Sequence, residues 1–447
     1  MSAMVIGLDG VPYWLLRDLA RQGVMPKTAG LLAEGSLRAM SAPVPEISST
    51  SWASFLTGTD PGTHGIYGFV DLRPGTYRTY FPHYGDLKAP PLWDAVDRAG
   101  GRSVIMNVPS TYPAPPLRGT LVSGFVAPDF DRAVHPPSLR APLRAMDYQL
   151  DVEVGDVSGD PDGFLDRVDA ALAARRAAFA HVLADGWDLA VCVITETDRV
   201  HHFLWSSLTD PSARLHGRIL DFYRAVDEAV AELADRAGDG GLFIASDHGF
   251  GPAHTQFYLN AWLRQAGYLA LPSDAASLEE IDERTRAFAL DPGRVYLNTR
   301  DRFPRGGAAV DPAELGERLL SLRLTEDGRV TEGGDGQPVV AEVLSGPRIY
   351  SGPCAGDAPD LVVMPAPGVQ IRGAWATDRL TGDAPLTGTH TRPDATFWCR
   401  GDHGTEPLHM RDVAPTVLAA AGIAPPPGTE GRDIRVTRPR GEEDVPC

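Results

Sequence analysis

Only two of the 41 basic residues in this 447-residue chain are lysines, Lys27 and Lys88, and nowhere do the cations form a block. With a net charge of −18, that absence excludes tight binding to a nucleic acid polymer or to an anionic membrane, since both need clustered positive charge. The chain also lacks any run of eighteen apolar residues, so no membrane-spanning helix is expected. Its opening, MSAMVIGLDG, has neither a basic n-region nor a long apolar h-region, and it does not read as a signal peptide. The four cysteines, Cys192, Cys354, Cys399 and Cys447, stand far apart without a CxxC pair. Neither a disulfide framework nor a cysteine zinc site follows, and a cytoplasmic location is expected. Internal repeats and low-complexity linkers are absent as well.

What is present is ordinary for a globular enzyme: 43% apolar and 22% charged residues. The length admits one large α/β domain with insertions, or roughly two or three ordinary domains. Strand-like and helix-like patterns alternate, as in α/β folds with a mostly parallel sheet. MVIGLDG is an apolar run ending in Asp9. Leu165, Val168, Leu172, Phe179 and Val182 recur at helical spacing. The strand-like WDLAVCVIT follows, and a second helix carries Leu215, Ile219, Phe222, Val226, Val230 and Leu233 on one face until Gly240 and Gly241 stop it. LFIAS, PDLVVMP and ATFWCR read as further strands. RDVAPTVLAAAG reads as a helix with Pro415 in its first turn. Residues 254–358 are less regular and are expected to form a cap or insertion. The proline-rich segment 109–162 reads as a second excursion.

Four places put a metal-ligand type of residue just after an apolar strand, where open α/β sheets build their sites. Asp9 ends the first strand; taken alone it is more simply a turn cap. Asp198 and His202, in TETDRVHHFLW, are four apart and share a helical face, whereas His201 points elsewhere. Asp247 and His248 follow LFIAS directly, and the glycine after them permits a sharp turn. His390 lies in TGTHTRPD, which reads as a loop. Together these supply three carboxylates and three imidazoles, a set that suits zinc, with manganese as the second choice. Six ligands are too many for one tetrahedral ion and about right for two, the arrangement that clamps an in-line phosphoryl transfer. The hydroxyl cluster of PEISSTSW then has two compatible readings. Ser48 or Ser49 caps a turn from Ser51 to Leu56, or one of these hydroxyls coordinates a metal and attacks phosphorus.

The ordered set VIGLDG, SWASFLTGTDPGTHGIYGF, MNVPSTYPAP, TETDRVHHFLW, SDHGFGP, RVYLNTRDRFPRG, APDLVVMP, GTH and RDVAPTVLAAAGI resembles the alkaline phosphatase superfamily nearly end to end. Within it, the chain is similar to the type I phosphodiesterase and nucleotide pyrophosphatase branch, and there to bacterial phosphohydrolases or phosphomutases. The resemblance implies a three-layer α/β/α sandwich with a mostly parallel central sheet. It also implies one catalytic domain over residues 1–447, with the cap at 254–358 inserted in it. It places the nucleophile four residues before Trp52, at Ser48, where close relatives mostly have threonine. One divalent ion would be held by Asp198, His202 and His390, and the other by Asp9, Asp247, His248 and the Ser48 oxygen. His64, in a motif the family shares, reads as structural. The reaction implied is hydrolysis of a small phosphorylated substrate through a covalent phospho-Ser48, with Ser49 as a substrate-binding residue. The phosphate-binding asparagine of nucleotide pyrophosphatases would fall near Phe69 and is missing, which argues against nucleotide pyrophosphate. The same site also serves phosphomutase, phosphotransferase or phosphomonoesterase chemistry. SSTSW lacks the x-Pro-x-Arg that follows a sulfatase nucleophile, and the complete ligand set argues against a catalytically dead binding protein. From Ala39 to Thr63 there is no Lys or Arg, so, unless Arg199 or Arg392 reaches in from elsewhere, a monoanionic diester is expected to suit the site better than a dianionic monoester.

Overall fold

The computed structural model describes residues 2–401 and 404–435, and Cys447 lies outside the described residues. Its centre is an eight-stranded sheet. Numbered in chain order, the strands are β1 (Ala3–Leu8), β2 (Gly35–Met40), β3 (Ser103–Val108), β4 (Gly119–Ser123), β5 (Val134–His135), β6 (Leu189–Ile194), β7 (Gly241–Ala245) and, after β8 (Gly249–Tyr258) and β9 (Gly388–Thr391), which lie outside this sheet, β10 (Ala395–Arg400). The spatial order is β2-β10-β7-β1-β6-β3-β4-β5. The five strands from β7 to β4 run parallel. The edges β2, β10 and β5 pair antiparallel. β1 is central: Ala3 pairs with both Leu189 of β6 and Gly241 of β7.

Both faces of this sheet are buried, which is why its inner strands read as unbroken apolar runs. Met4, Ile6 and Leu8 of β1 enter a core shared with Cys192, Phe164, Val168, Ile219 and Phe222. There the cover is α2 (Pro161–Val182) and α4 (His216–Ala237). The alternate residues Ala3 and Val5 enter a second core with Val191, Trp52, Phe55 and Val417, beneath α1 (Ser48–Thr57) and α5 (Val413–Ala420). The result is helix, sheet, helix in three layers. Gly7 has a packing reason: a Cβ there would stand 2.7 Å from Val193 Cγ2 and 2.9 Å from the Trp52 ring. The fully buried Arg175 of α2 binds Glu196 at 2.8 Å and so fixes the start of α3 (Glu196–Thr209).

A separate core gathers Phe257, Leu263, Phe288, Val295, Leu319, Val363 and Ile371. Around it Ala287–Leu290, Arg294–Leu297, Leu361–Pro365 and Val340–Ser345 form a four-stranded sheet in that order. Strand β8 connects the two parts of the molecule. Its start pairs with β9, Phe250 opposite His390, and its end pairs with Gly368–Arg372. The proline-rich segment 109–162, expected as an excursion, instead contributes β4 and β5 to the central sheet; its prolines sit outside the paired residues. No helix among the described residues is long and apolar enough to cross a membrane.

Candidate active site

The carboxyl ends of three adjacent parallel strands supply most of the site. Asp9 follows β1, Asp198 and His202 lie on α3 just after β6, and Asp247 and His248 bridge β7 to β8. His390 comes in from the side: the sequence reads it as a loop residue, but it sits in β9, held against β8. Such a short strand, GTHT, carries too little apolar pattern to be recognised. Gly388 is required there, because a Cβ would stand 2.5 Å from the His201 carbonyl oxygen and 2.8 Å from the Phe250 ring. Ser48 is the first residue of α1. The helix begins three residues earlier than the expected turn at Ser51, with Ile47 in the cap position and no side-chain cap bond. Neither Ser48 nor Ser49 therefore caps it. The amides of Thr50 and Ser51 bond the Ile47 carbonyl instead.

These residues converge. Ser48 Oγ is 3.1 Å from His248 Nε2, which is 3.1 Å from Asp247 Oδ2 and 4.0 Å from Asp9 Oδ1. Asp198 Oδ1 is 3.4 Å from His202 Nε2 and 3.6 Å from His390 Nε2, and the two imidazole nitrogens are 3.0 Å apart. Asp9, Asp247 and His248 form one cluster with metal-ligand spacing, and Asp198, His248 and His390 form another, so His248 lies between the two. Three observations fit divalent cations. First, Asp9 Oδ1 and Asp198 Oδ1 are buried without a hydrogen-bond partner, a condition that a bound cation or a proton relieves. Second, Nδ1 of each imidazole faces a backbone carbonyl: His202 that of Gly388 at 3.3 Å, His248 that of Gly249 at 3.0 Å, His390 that of Glu46 at 2.9 Å. A proton held there leaves Nε2 as a lone pair facing the cluster, as in metal-ligating histidines. Third, the oxygen and nitrogen donors match zinc or manganese.

Without a cation, the cluster's own charges and its burial set the titration of these groups. Burial, then Asp247 and Asp198, raise the Asp9 carboxyl well above the usual carboxylate range. For Asp198 burial acts upward but is outweighed by His202, His390 and Arg199, so its pKa is lowered. For Asp247 burial is likewise outweighed, by His248. His248 is in turn raised to about 9 by Asp247 against its own burial. Burial lowers His202 to about 3 and lowers His390 as well. His201 faces away, between the Gly10 carbonyl at 2.9 Å and the Tyr223 hydroxyl. His64 is a buried packing residue bonded to Ser54 Oγ at 2.9 Å. Ser49 Oγ is buried beside Ser48 and has no hydrogen-bond partner.

Sequence reasoning missed the support around this cluster. Arg199 Nη1 donates to Asp198 Oδ2 at 3.1 Å, while Asp151 grips the same guanidinium at 2.9 and 2.7 Å. Asp198 thus keeps only Oδ1 for a metal. Arg199 is suspected from the sequence as an arginine able to reach into the site, though not as a partner of Asp198; Asp151, 47 residues before Asp198, leaves no trace in the sequence. Glu46 is buried too, and its carbonyl orients His390. Two cavities of about 360 and 440 Å³ open beside His390.

A family model described as type I phosphodiesterase / nucleotide pyrophosphatase matches residues 3–406. No curated protein matches the chain. Among solved structures, phosphonoacetate hydrolase from Sinorhizobium meliloti 1021, in complex with phosphonoacetate, superposes with a TM-score of 0.65 at 17% identity, over 94% of this chain and 96% of that one. Murine ectonucleotide pyrophosphatase / phosphodiesterase 5 gives 0.56 at 13% identity, and its human counterpart 0.56 at 12%, each over 96% of both chains. At these identities the likeness shows the fold, a mixed α/β architecture around a large, mostly parallel sheet.

Proposed function

The chain belongs to the type I phosphodiesterase / nucleotide pyrophosphatase family, and from that premise we propose that this metal-dependent phosphoester hydrolase cleaves phosphodiesters through a covalent phosphoserine at Ser48. The observation that carries the reading is the position of Ser48 Oγ, at the first turn of α1 and 3.1 Å from His248. Asp9, Asp247, His248 and the Ser48 oxygen would hold one divalent ion, and Asp198, His202 and His390 the other, with zinc preferred over manganese. Such ions neutralise phosphoryl charge and lower the pKa of the serine hydroxyl. The chain's own residues do the rest. Ser48 Oγ gives up its proton to solvent and forms the new bond to phosphorus as the bond to the leaving oxygen breaks, and that oxygen takes a proton from solvent to depart as the alcohol. The positive end of α1 faces the phosphoryl oxygens. Water then cleaves the phosphoserine and restores the hydroxyl. The Arg199–Asp151 clamp and the carbonyls of Gly388, Gly249 and Glu46 hold the ligands in place throughout.

The preference for diesters follows from charge. Three carboxylates against two divalent cations leave a site of about one positive charge. Arg199 adds little to this, because Asp151 and Asp198 already engage it. Arg392 donates to the Ala42 carbonyl at 3.3 Å and faces the buried Glu46. A monoanionic diester suits such a site better than a dianion. The free thiols Cys192 and Cys354 support the cytoplasm as the place of action.

Ser48→Ala should abolish turnover while leaving the fold intact, as circular dichroism will show, and Ser48→Thr should keep measurable activity. With zinc loaded, kcat/KM for bis(p-nitrophenyl) phosphate should exceed that for p-nitrophenyl phosphate. A clear monoester preference would move the protein to the phosphatase or mutase reading. If Ser49→Ala were the dead variant instead, Ser48 would not be the nucleophile.

A further inference from the structure

The two cavities beside His390 share part of their lining. The first is lined by Ile47, the neighbour of Ser48, by His202 and His390, and by Phe69, Val70, Val363 and Leu386. The second is lined by Gly251, Pro252 and Ala366–Val369. They share Glu46, Met364, Pro365, Thr389 and His390, so they meet at one candidate ligand, His390. A phosphomonoester has one organic limb and would leave one cavity unused; a diester has two.

The chemistry of the first cavity narrows its limb. Its wall at Phe69, Val70, Val362, Val363 and Leu386 is apolar, and several of its polar groups away from Glu46 are already engaged. Asp291 and Arg372 pair at 3.2 Å, Asp291 also accepts from the Gly373 amide, and Gln370 accepts from Gln256 at 2.9 Å. A nucleobase edge laid against Phe69, Val70, Val363 and Leu386 would give up water without gaining partners, which disfavours it there. An alkyl chain gives up nothing of the kind and gains apolar contact.

We propose that the substrate is a phosphodiester with one limb in each cavity, and that the limb lying against Phe69, Val70 and Leu386 is an aliphatic chain. This rests on the diesterase reading above and extends it to a substrate class. A zinc-loaded enzyme should be assayed on methyl, hexyl and thymidine-5′ p-nitrophenyl phosphates. A fully buried methylene is worth about fourfold in kcat/KM. Partial burial of five added methylenes should still place the hexyl ester at least tenfold above the methyl ester. Leu386 and Val70 are only partly buried, so Leu386→Asp and Val70→Asp should fold, as melting curves will show, and each should bring the hexyl-to-methyl ratio below threefold. Hexyl phosphate should also inhibit more tightly than methyl phosphate, by a similar factor, and lose that advantage in the variants. Brisk turnover with a ratio near one, a ratio unchanged in both variants, or a thymidyl ester faster than the hexyl ester would overturn the aliphatic limb while leaving the diesterase intact. p-Nitrophenyl phosphate outrunning all three diesters would overturn the diesterase reading, and the limb with it.

Discussion

Asp9 combines demands that pull against each other. It is fully buried at the end of the central strand, one oxygen receives only the Trp52 indole N–H at 3.4 Å, and the other has no partner. Its pKa is raised by burial first and by Asp247 and Asp198 next. A carboxyl whose pKa is higher folded than unfolded contributes its full stability below the unfolded value, near 3.9, and loses it as pH rises through the folded value. Metal-free protein should therefore be weakened at neutral pH by this one side chain. Asp9→Asn removes the charge and keeps the shape. In the presence of a chelator it should be more stable than the wild type at pH 7, with the gap closing toward pH 4. Denaturant titrations at the two pH values measure this. A variant less stable at pH 7 would mean that the carboxylate is stabilised by something other than a cation. With metal restored the order should reverse, since the amide is the poorer ligand.

At the scale of elements, legibility followed burial. β1, β6 and β7 were readable because strands buried on both faces are continuous apolar runs, and their ends pointed to Asp9, Asp198, Asp247 and His248. The long helices α2 and α4 were readable from their period. Three features were not. β9 is four residues long and carries no period. The start of α1 is a run of hydroxyls that suits a cap as well as a first turn, and only the geometry at Ile47 decides between them. The pairing of Arg199 with Asp151 is made by the fold alone. β9 also yields a test. Gly388→Ala pushes a methyl into the His201 carbonyl and Phe250, so the strand must shift and carry His390 with it. The variant should fold with a lowered Tm and retain less metal after dialysis, both measurable without a substrate. Metal retention equal to wild type would show that the position of His390 does not depend on this glycine.

At the scale of the whole molecule, the site lies where β1, β6, β7, β8 and β9 meet, so ions bound there would tie together segments far apart in sequence. Ligands that bind only the folded state raise its stability by mass action, about 4 kcal/mol at a thousandfold excess over Kd. Prolonged chelation should lower Tm by several degrees and abolish activity, and zinc or manganese should restore both. Elemental analysis should find two metals per active chain, and well under one would be incompatible with the dinuclear site. The central position of β1 has a further effect, felt before the protein is complete. Its two neighbours start 186 and 238 residues later in the chain, at Leu189 and Gly241, and His390 trails Asp9 by 381 residues. At about 5–20 residues per second, roughly ten to fifty seconds of translation separate the birth of β1 from that of its partners, and roughly twenty to eighty separate the first ligand from the last. For that interval a wholly apolar strand has both edges open on the ribosome, so the nascent chain depends on a chaperone's cover more than the finished protein's stability would suggest.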